Sequence, residues 1–157
     1  MTAPSGSDPI LGAFQRVLAA QHAAIYGYSV IGVHLSADPA DRARVLQAAH
    51  RSTRDALMID LAGLGAIPVE AEPFYSPAGS PGERITDEAG AQRWALRLEE
   101  DCAAGYRFLL AVSATASAPQ AAIRRTALIG LIVAAQYAME WRALLTPSSP
   151  TVPFPGT

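Results

Sequence analysis

Ile67-Pro-Val-Glu-Ala-Glu-Pro-Phe-Tyr-Ser-Pro-Ala-Gly-Ser-Pro-Gly-Glu-Arg-Ile85 decides the fold of this 157-residue chain. Pro68, Pro73, Pro77 and Pro81 deny it a helix, and its hydrophobic residues follow no helical period. At about 3.3 Å per extended residue the stretch reaches roughly 60 Å. That is enough to carry the chain along the full length of a helix bundle.

Two helical segments lie on each side of this stretch. The first spans roughly 9–35, with Asp8 as N-cap and Pro9 at the first helical position, where a missing N–H costs nothing. A second opens at Asp38-Pro39, with Asp41 placed to reach back as in a capping box, and closes near Gly63 and Gly65. The third opens at Thr86-Asp87-Glu88 and runs to about Thr115. Ser117-Ala-Pro-Gln120 then makes a further capping box for a fourth, which stops before Pro147. Each is roughly 40 Å long at about 1.5 Å per residue. Short, long and short connections argue against a simple up-down bundle, which needs only short turns, and a cytokine-type bundle, which needs two crossovers; an ordinary bundle with one long loop is the alternative. One central crossover is the ferritin-like arrangement. The expected fold is therefore all-α: a ferritin-like antiparallel four-helix bundle with one long crossover between helices 2 and 3. It occupies 9–146, between a disordered 1–8 and an extended, Pro-rich tail over 147–157, in which Phe154 between two prolines is a candidate anchor.

Composition excludes several functions. All 12 basic residues are arginine against 14 acidic ones, and the net charge is −2. That balance offers no footprint for nucleic acid or an anionic membrane. The longest apolar run, over 126–139, is short of the roughly 20 residues that span hydrocarbon and reads as a core helix, so no membrane is expected. The opening residues lack the basic and apolar blocks of a secretory signal, and Cys102 is alone, which points to the cytoplasm. Neither a Gly-x-Ser-x-Gly elbow nor a phosphate-cradling glycine loop is present. Cys102 reads as a small buried hydrophobe.

Counting outward from the two short turns brings the helix midpoints to one level. Gln21, His22, Gln47, His50, Arg54, Glu99 and Gln136 form the expected mid-bundle polar layer, with Arg54 and Glu99 as a buried ion pair. On helix 4 the inward stripe is expected through Leu128, Ile132, Ala135 and Met139, with Gln136 beside it. Buried polar groups there must bond to one another, because an unpaired one costs about 1–3 kcal/mol.

Gln21-His-Ala-Ala-Ile-Tyr-Gly-Tyr28, His50-Arg-x-x-Arg-Asp55, Arg97-Leu-Glu-x-Asp101, Trp141 and Pro153-Phe-Pro-Gly156 resemble a bacterial ferritin-like domain family of unknown function. The likeness spans nearly the whole chain. It implies the four-helix ferritin-like fold and brings no established activity. Where that family's pattern reads Glu-His-Ala, this chain has Gln21, one carboxylate fewer.

A ferritin-like di-iron centre takes a Glu from each of two helices and a Glu-x-x-His pair from each of the others, because iron needs anionic oxygens. The equivalents here are Gln21, Gln47-x-x-His50, Glu99 and Gln136-x-x-Met139. Three of the four carboxylates have become neutral amides. Neither a metal nor a cofactor is expected, the residual candidates being His22, His50 and Glu99. The leading expectation is a non-catalytic structural or interaction module. The alternatives are a metal-binding protein or oxidase on that residual trio, and a small-molecule binder in a core pocket lined by Tyr26, Tyr106 and Trp141. Helix 1 carries one charge, Arg16, between Ile10 and Leu35, so a second buried side is expected. A homodimer through helix 1, with Tyr26 or Tyr28 in the contact, is the expected partner arrangement; a covering by the crossover and tail is the competing one.

Overall fold

The computed structural model describes residues 8–77, 84–114 and 120–157, with Gln120 described by its backbone alone. The chain forms an all-α four-helix bundle: α1 (Pro9–Ile31), α2 (Ala37–Gly63), α3 (Glu88–Ser113) and α4 (Gln120–Leu145). Asp8 caps α1 by accepting from the Ile10 N–H at 2.9 Å, which satisfies a donor that the first turn leaves free. The expected first helix ends earlier than Leu35, tightening into a 3₁₀ turn over Gly32–His34 ahead of the short link to α2. Asp41 does not reach back in a capping box; it pairs with Arg44 on its own helix. The N-cap of α3 is Asp87 rather than Thr86, its carboxylate accepting from the Gly90 N–H at 2.6 Å. After α2, Gly65 adopts a φ of 75°. Glycine takes that left-handed conformation without steric cost. The expected capping box at Ser117–Gln120, and residues 1–7, lie outside the described residues.

Contacts at the two ends set the direction of every helix. At one end, Ser36 in the α1–α2 link donates its hydroxyl to Glu88, at the start of α3, at 2.6 Å. Toward the other end, Ile10 and Phe14 of α1 share a core with Leu57 and Leu61 of α2, Leu109 of α3 and Ala127 of α4. Helix α3 therefore starts at the end of the bundle opposite to where α2 finishes, and the connection must climb its length. Its described part climbs along α1. Gln15 donates to the Ile67 carbonyl and accepts from the Val69 N–H, both at 2.7 Å. Higher up, Tyr26 meets Phe74 and Tyr75 with ring centroids 5.9 and 5.5 Å apart. The crossover thus runs along the side of α1 that α2 and α3 leave open.

Helix α4 sits the other way round from expectation. Its buried positions are Ala127, Ala134, Ala138 and Trp141, while Leu128, Ile132 and Met139 are exposed. Small residues let α4 approach the bundle closely: a Cβ at Gly130 would lie 2.3 Å from Cε1 of Tyr106. Leu128, Ile132 and Met139 turn outward, while Ile123 and Leu131 stay partly buried against the core. The tail over 147–157 docks by backbone rather than by Phe154, which is 72% exposed. Arg142 donates to the Pro150 carbonyl at 3.1 Å. Gly156, at a positive φ, lies so close to the Ala103 carbonyl that a Cβ would come within 2.7 Å of its oxygen.

Candidate functional site

The middle of the bundle holds one continuous buried polar chain. Helix α1 contributes Gln21 and Tyr28, two turns apart on its inner face; α2 contributes His50, α3 Glu99 and Cys102, and α4 Trp141. Gln21 donates from Nε2 to the Cys102 sulfur at 3.6 Å and accepts at Oε1 from His50 Nδ1 at 2.7 Å. His50 Nε2 lies 2.9 Å from Glu99 Oε1. Tyr28 donates to the same oxygen at 2.5 Å and accepts from Trp141 Nε1 at 2.7 Å. Its ring stacks on the His50 imidazole, centroids 5.4 Å apart. All six side chains are buried.

Proton counting constrains the chain. With Nδ1–H donating to the Gln21 amide oxygen, the short Nε2–Oε1 contact requires a proton between imidazole and carboxylate. Burial, followed by the Glu99 charge and hydrogen bond, pushes the Tyr28 phenol well above its ordinary range. Burial pushes the Cys102 thiol up in the same way, so it stays a protonated, unreactive thiol. Glu99 Oε2 is the one buried side-chain polar atom without a hydrogen-bond partner among the described residues.

Other residues expected in this layer lie elsewhere. His22 turns away from the centre, its Nε2–H donating to the Val69 carbonyl of the crossover at 3.1 Å. It therefore fastens the crossover and does not join His50 and Glu99 in a trio. Gln47 donates to the Ile25 carbonyl at 2.9 Å, tying α2 to α1. Arg54 pairs with its neighbour Asp55 at 2.7 Å. It makes no buried pair with Glu99, because its long side chain keeps its charge in solvent. Gln136 is exposed, one consequence of the outward turn of the α4 stripe. Tyr26, Tyr106 and Trp141 lie in different surroundings: Tyr26 under the crossover, Tyr106 in the Phe14–Leu109 core, and Trp141 in the polar chain. Tyr28 lies inside the bundle and is unavailable to a partner. Its role was hidden in sequence because a Tyr two positions after Tyr26 points to another side of the helix; the signal was its placement two turns after Gln21.

The donors do not fit a metal centre. Only His50 and Glu99 present ligating atoms to one point, and Cys102 is occupied by Gln21. Among the described residues no three of His, Cys, Asp and Glu gather to hold an ion, where a closed protein site needs about four ligands.

Residues 13–157 match a protein family described as a domain of unknown function, DUF4439. The chain belongs to that family. The fold of this DUF4439 domain is similar to that of a conserved hypothetical protein from Mycobacterium tuberculosis, known from a crystal structure. The two superpose with a TM-score of 0.76 at 24% identity, over 89% of this chain and 99% of that one. No curated protein matches.

Proposed function

We propose that this DUF4439 domain is a ferritin-like bundle whose metal layer has become a closed hydrogen-bond network, and that it serves as a non-catalytic structural or interaction module of the cytoplasm. The observation that carries the reading is the Cys102–Gln21–His50–Glu99–Tyr28–Trp141 chain. A neutral amide stands where an anionic ligand would be needed, and both ring nitrogens of His50 and the hydroxyl of Tyr28 are engaged by other side chains. Two irons demand about four carboxylates to balance their charge. This layer has one.

Topology adds support. A single crossover running from the end of α2 to the opposite end of the bundle is the ferritin-like connection, and a polar core layer at the helix midpoints is the place where such bundles hold their metals.

One observation favours the alternative of a residual metal site: Glu99 Oε2 is fully buried and has no partner. Metal analysis of protein purified without an affinity tag separates the two. Less than about one tenth of an equivalent of iron, manganese or zinc is the expected result, with roughly micromolar or weaker affinity on adding back each ion. A stoichiometric metal that is lost in Glu99→Gln would overturn the reading.

A further inference from the structure

The outward face of α4 is the feature of this molecule that neither the fold nor the polar chain uses. Leu128, Ile129, Ile132 and Met139 are 47%, 53%, 49% and 38% exposed. Arg125 is the one charged residue on the face they form. Among the described residues α4 is also the one helix long and apolar enough, over Ala121–Leu145, to pass for a membrane span by length and composition. A surface helix of a monomer carries charge opposite its core face. Here the core face is alanine and the outer face is leucine, isoleucine and methionine.

We propose that this face is the contact between two copies of the chain, packed antiparallel along α4 about a two-fold axis near Ile132. The inference rests on the reading of the domain as an interaction module and supplies its partner. Three observations select a second copy. First, Leu128, Ile132, Ala135 and Met139 follow a four-three-four spacing, the seam of one helix packed lengthwise on another. The exposed helix with that seam is α4 itself, and an isologous pair buries it on both sides.

Second, charge complements in the antiparallel sense. About an axis at Ile132, Arg125 of one protomer comes within about one residue of the level of Glu140 of the other, on the same flank of the seam, while Arg124 lies on the opposite flank. Glu140 is half-exposed and already paired with Arg42 at 2.5 Å. The second protomer's arginine would complete a three-membered network, and networks contribute where isolated surface pairs do not. A parallel pair would set arginine against arginine.

Third, the area matches a weak, reversible dimer. Helix α4 has 26 residues. At about 1.5 Å per residue it is about 39 Å long. A contact strip about 10 Å wide, the breadth of one helix, gives about 400 Å² per protomer, at the low end of specific interfaces. Ile132, Ala135 and Met139 of the stripe also line a groove of about 410 Å³ between α4, α3 and the tail, which adds Val152 and Phe154 to the same apolar surface.

Sedimentation equilibrium of the full chain tests this. The expected species has twice the 16.5 kDa of the chain, and it is expected at about 10–100 μM protein. Ile132→Glu is expected to weaken association about 30-fold or more with helicity unchanged, since the side chain is exposed in the protomer. Val33→Glu, at an exposed site outside α4, is expected to leave the dimer intact. Ile132→Cys is expected to form an intermolecular disulfide under mild oxidation faster than Val33→Cys, whose thiol would be at least as open to collision but far from the axis; equal rates would count against the axis.

A monomer at about 100 μM would overturn the proposal. So would a dimer indifferent to Ile132→Glu, or a monomer that floats with vesicles of phosphatidylcholine and phosphatidylglycerol. None of these outcomes bears on metal content, so the dimer can fail while the reading of the polar layer stands, and the reverse.

Discussion

Tyr28 of α1 and Glu99 of α3 meet at 2.5 Å in the middle of the bundle, the phenol donating to the carboxylate while the Trp141 indole donates to the phenol. One hydroxyl thereby links three helices. It satisfies a donor on α4 that would otherwise be buried alone, and it gives the α3 carboxylate a second donor beside His50.

Tyr28→Phe removes that hydroxyl without opening a large cavity. It leaves Trp141 Nε1 with no acceptor and Glu99 with His50 alone. We expect a loss of about 2–4 kcal/mol, the cost of orphaning one buried donor and weakening the hold on a buried carboxylate, read from urea denaturation of wild type and variant. A change below about 0.5 kcal/mol would mean that the chain is not closed as described.

Stability should fall in alkaline solution. Burial raises Cys102, Tyr28 and Tyr106 above ordinary values of 9.0, 10.0 and 10.0. A raised group keeps its proton in the fold after the unfolded chain has lost it. The stabilisation is therefore complete below about pH 9 and declines as pH rises toward the folded values. The slope is about 1.4 kcal/mol per pH unit for each group. Cys102→Ala should remove the first part of the decline, which denaturation at about pH 8, 9 and 10 would resolve.

Two glycines should respond differently to alanine. At Gly130 a Cβ meets the Tyr106 ring at 2.3 Å, and that ring is wedged among Val17, Leu109 and Ala127. At Gly27 the nearest atom, also at 2.3 Å, is the δ-methyl end of Leu98, which a rotamer change can swing away. Gly130→Ala should cost about 2–3 kcal/mol and Gly27→Ala about 1 kcal/mol or less, compared by thermal melts.

The α2–α4 seam is held at one point by Arg42, whose guanidinium grips both Glu140 oxygens at 2.5 and 2.7 Å. Both side chains are more than a third exposed, which limits the gain. Arg42→Met should cost about 0.5–1 kcal/mol, and the difference should shrink in about 1 M salt as screening weakens the pair.

Much of the architecture was legible in the chain alone. Pro68 through Pro81 announced a long non-helical connection, Asp8-Pro9 and Thr86-Asp87-Glu88 marked helix starts within a residue or two, and Gly65 marked a stop. These signals are local: a ring that fixes φ, a carboxylate that caps an N–H, a glycine that takes positive φ. Helix number and connection lengths then dictated a bundle with one crossover. Counting from the turns likewise placed Gln21, His50 and Glu99 at one height, because rise per residue is constant.

Rotation about each helix axis is what the tertiary structure decided. His22 stands next to Gln21 yet faces the crossover, and Arg54 lies one turn from His50 yet reaches solvent. Height along the axis places each of them with the buried residues; the direction of the side chain separates them. Helix α4 shows the limit most plainly. The expected stripe ran through Leu128, Ile132 and Met139, but the bundle buried Ala127, Ala134, Ala138 and Trp141, with Tyr106 packed directly against Gly130. Hydrophobicity says which residues gain from burial; only packed volume says which of them fit.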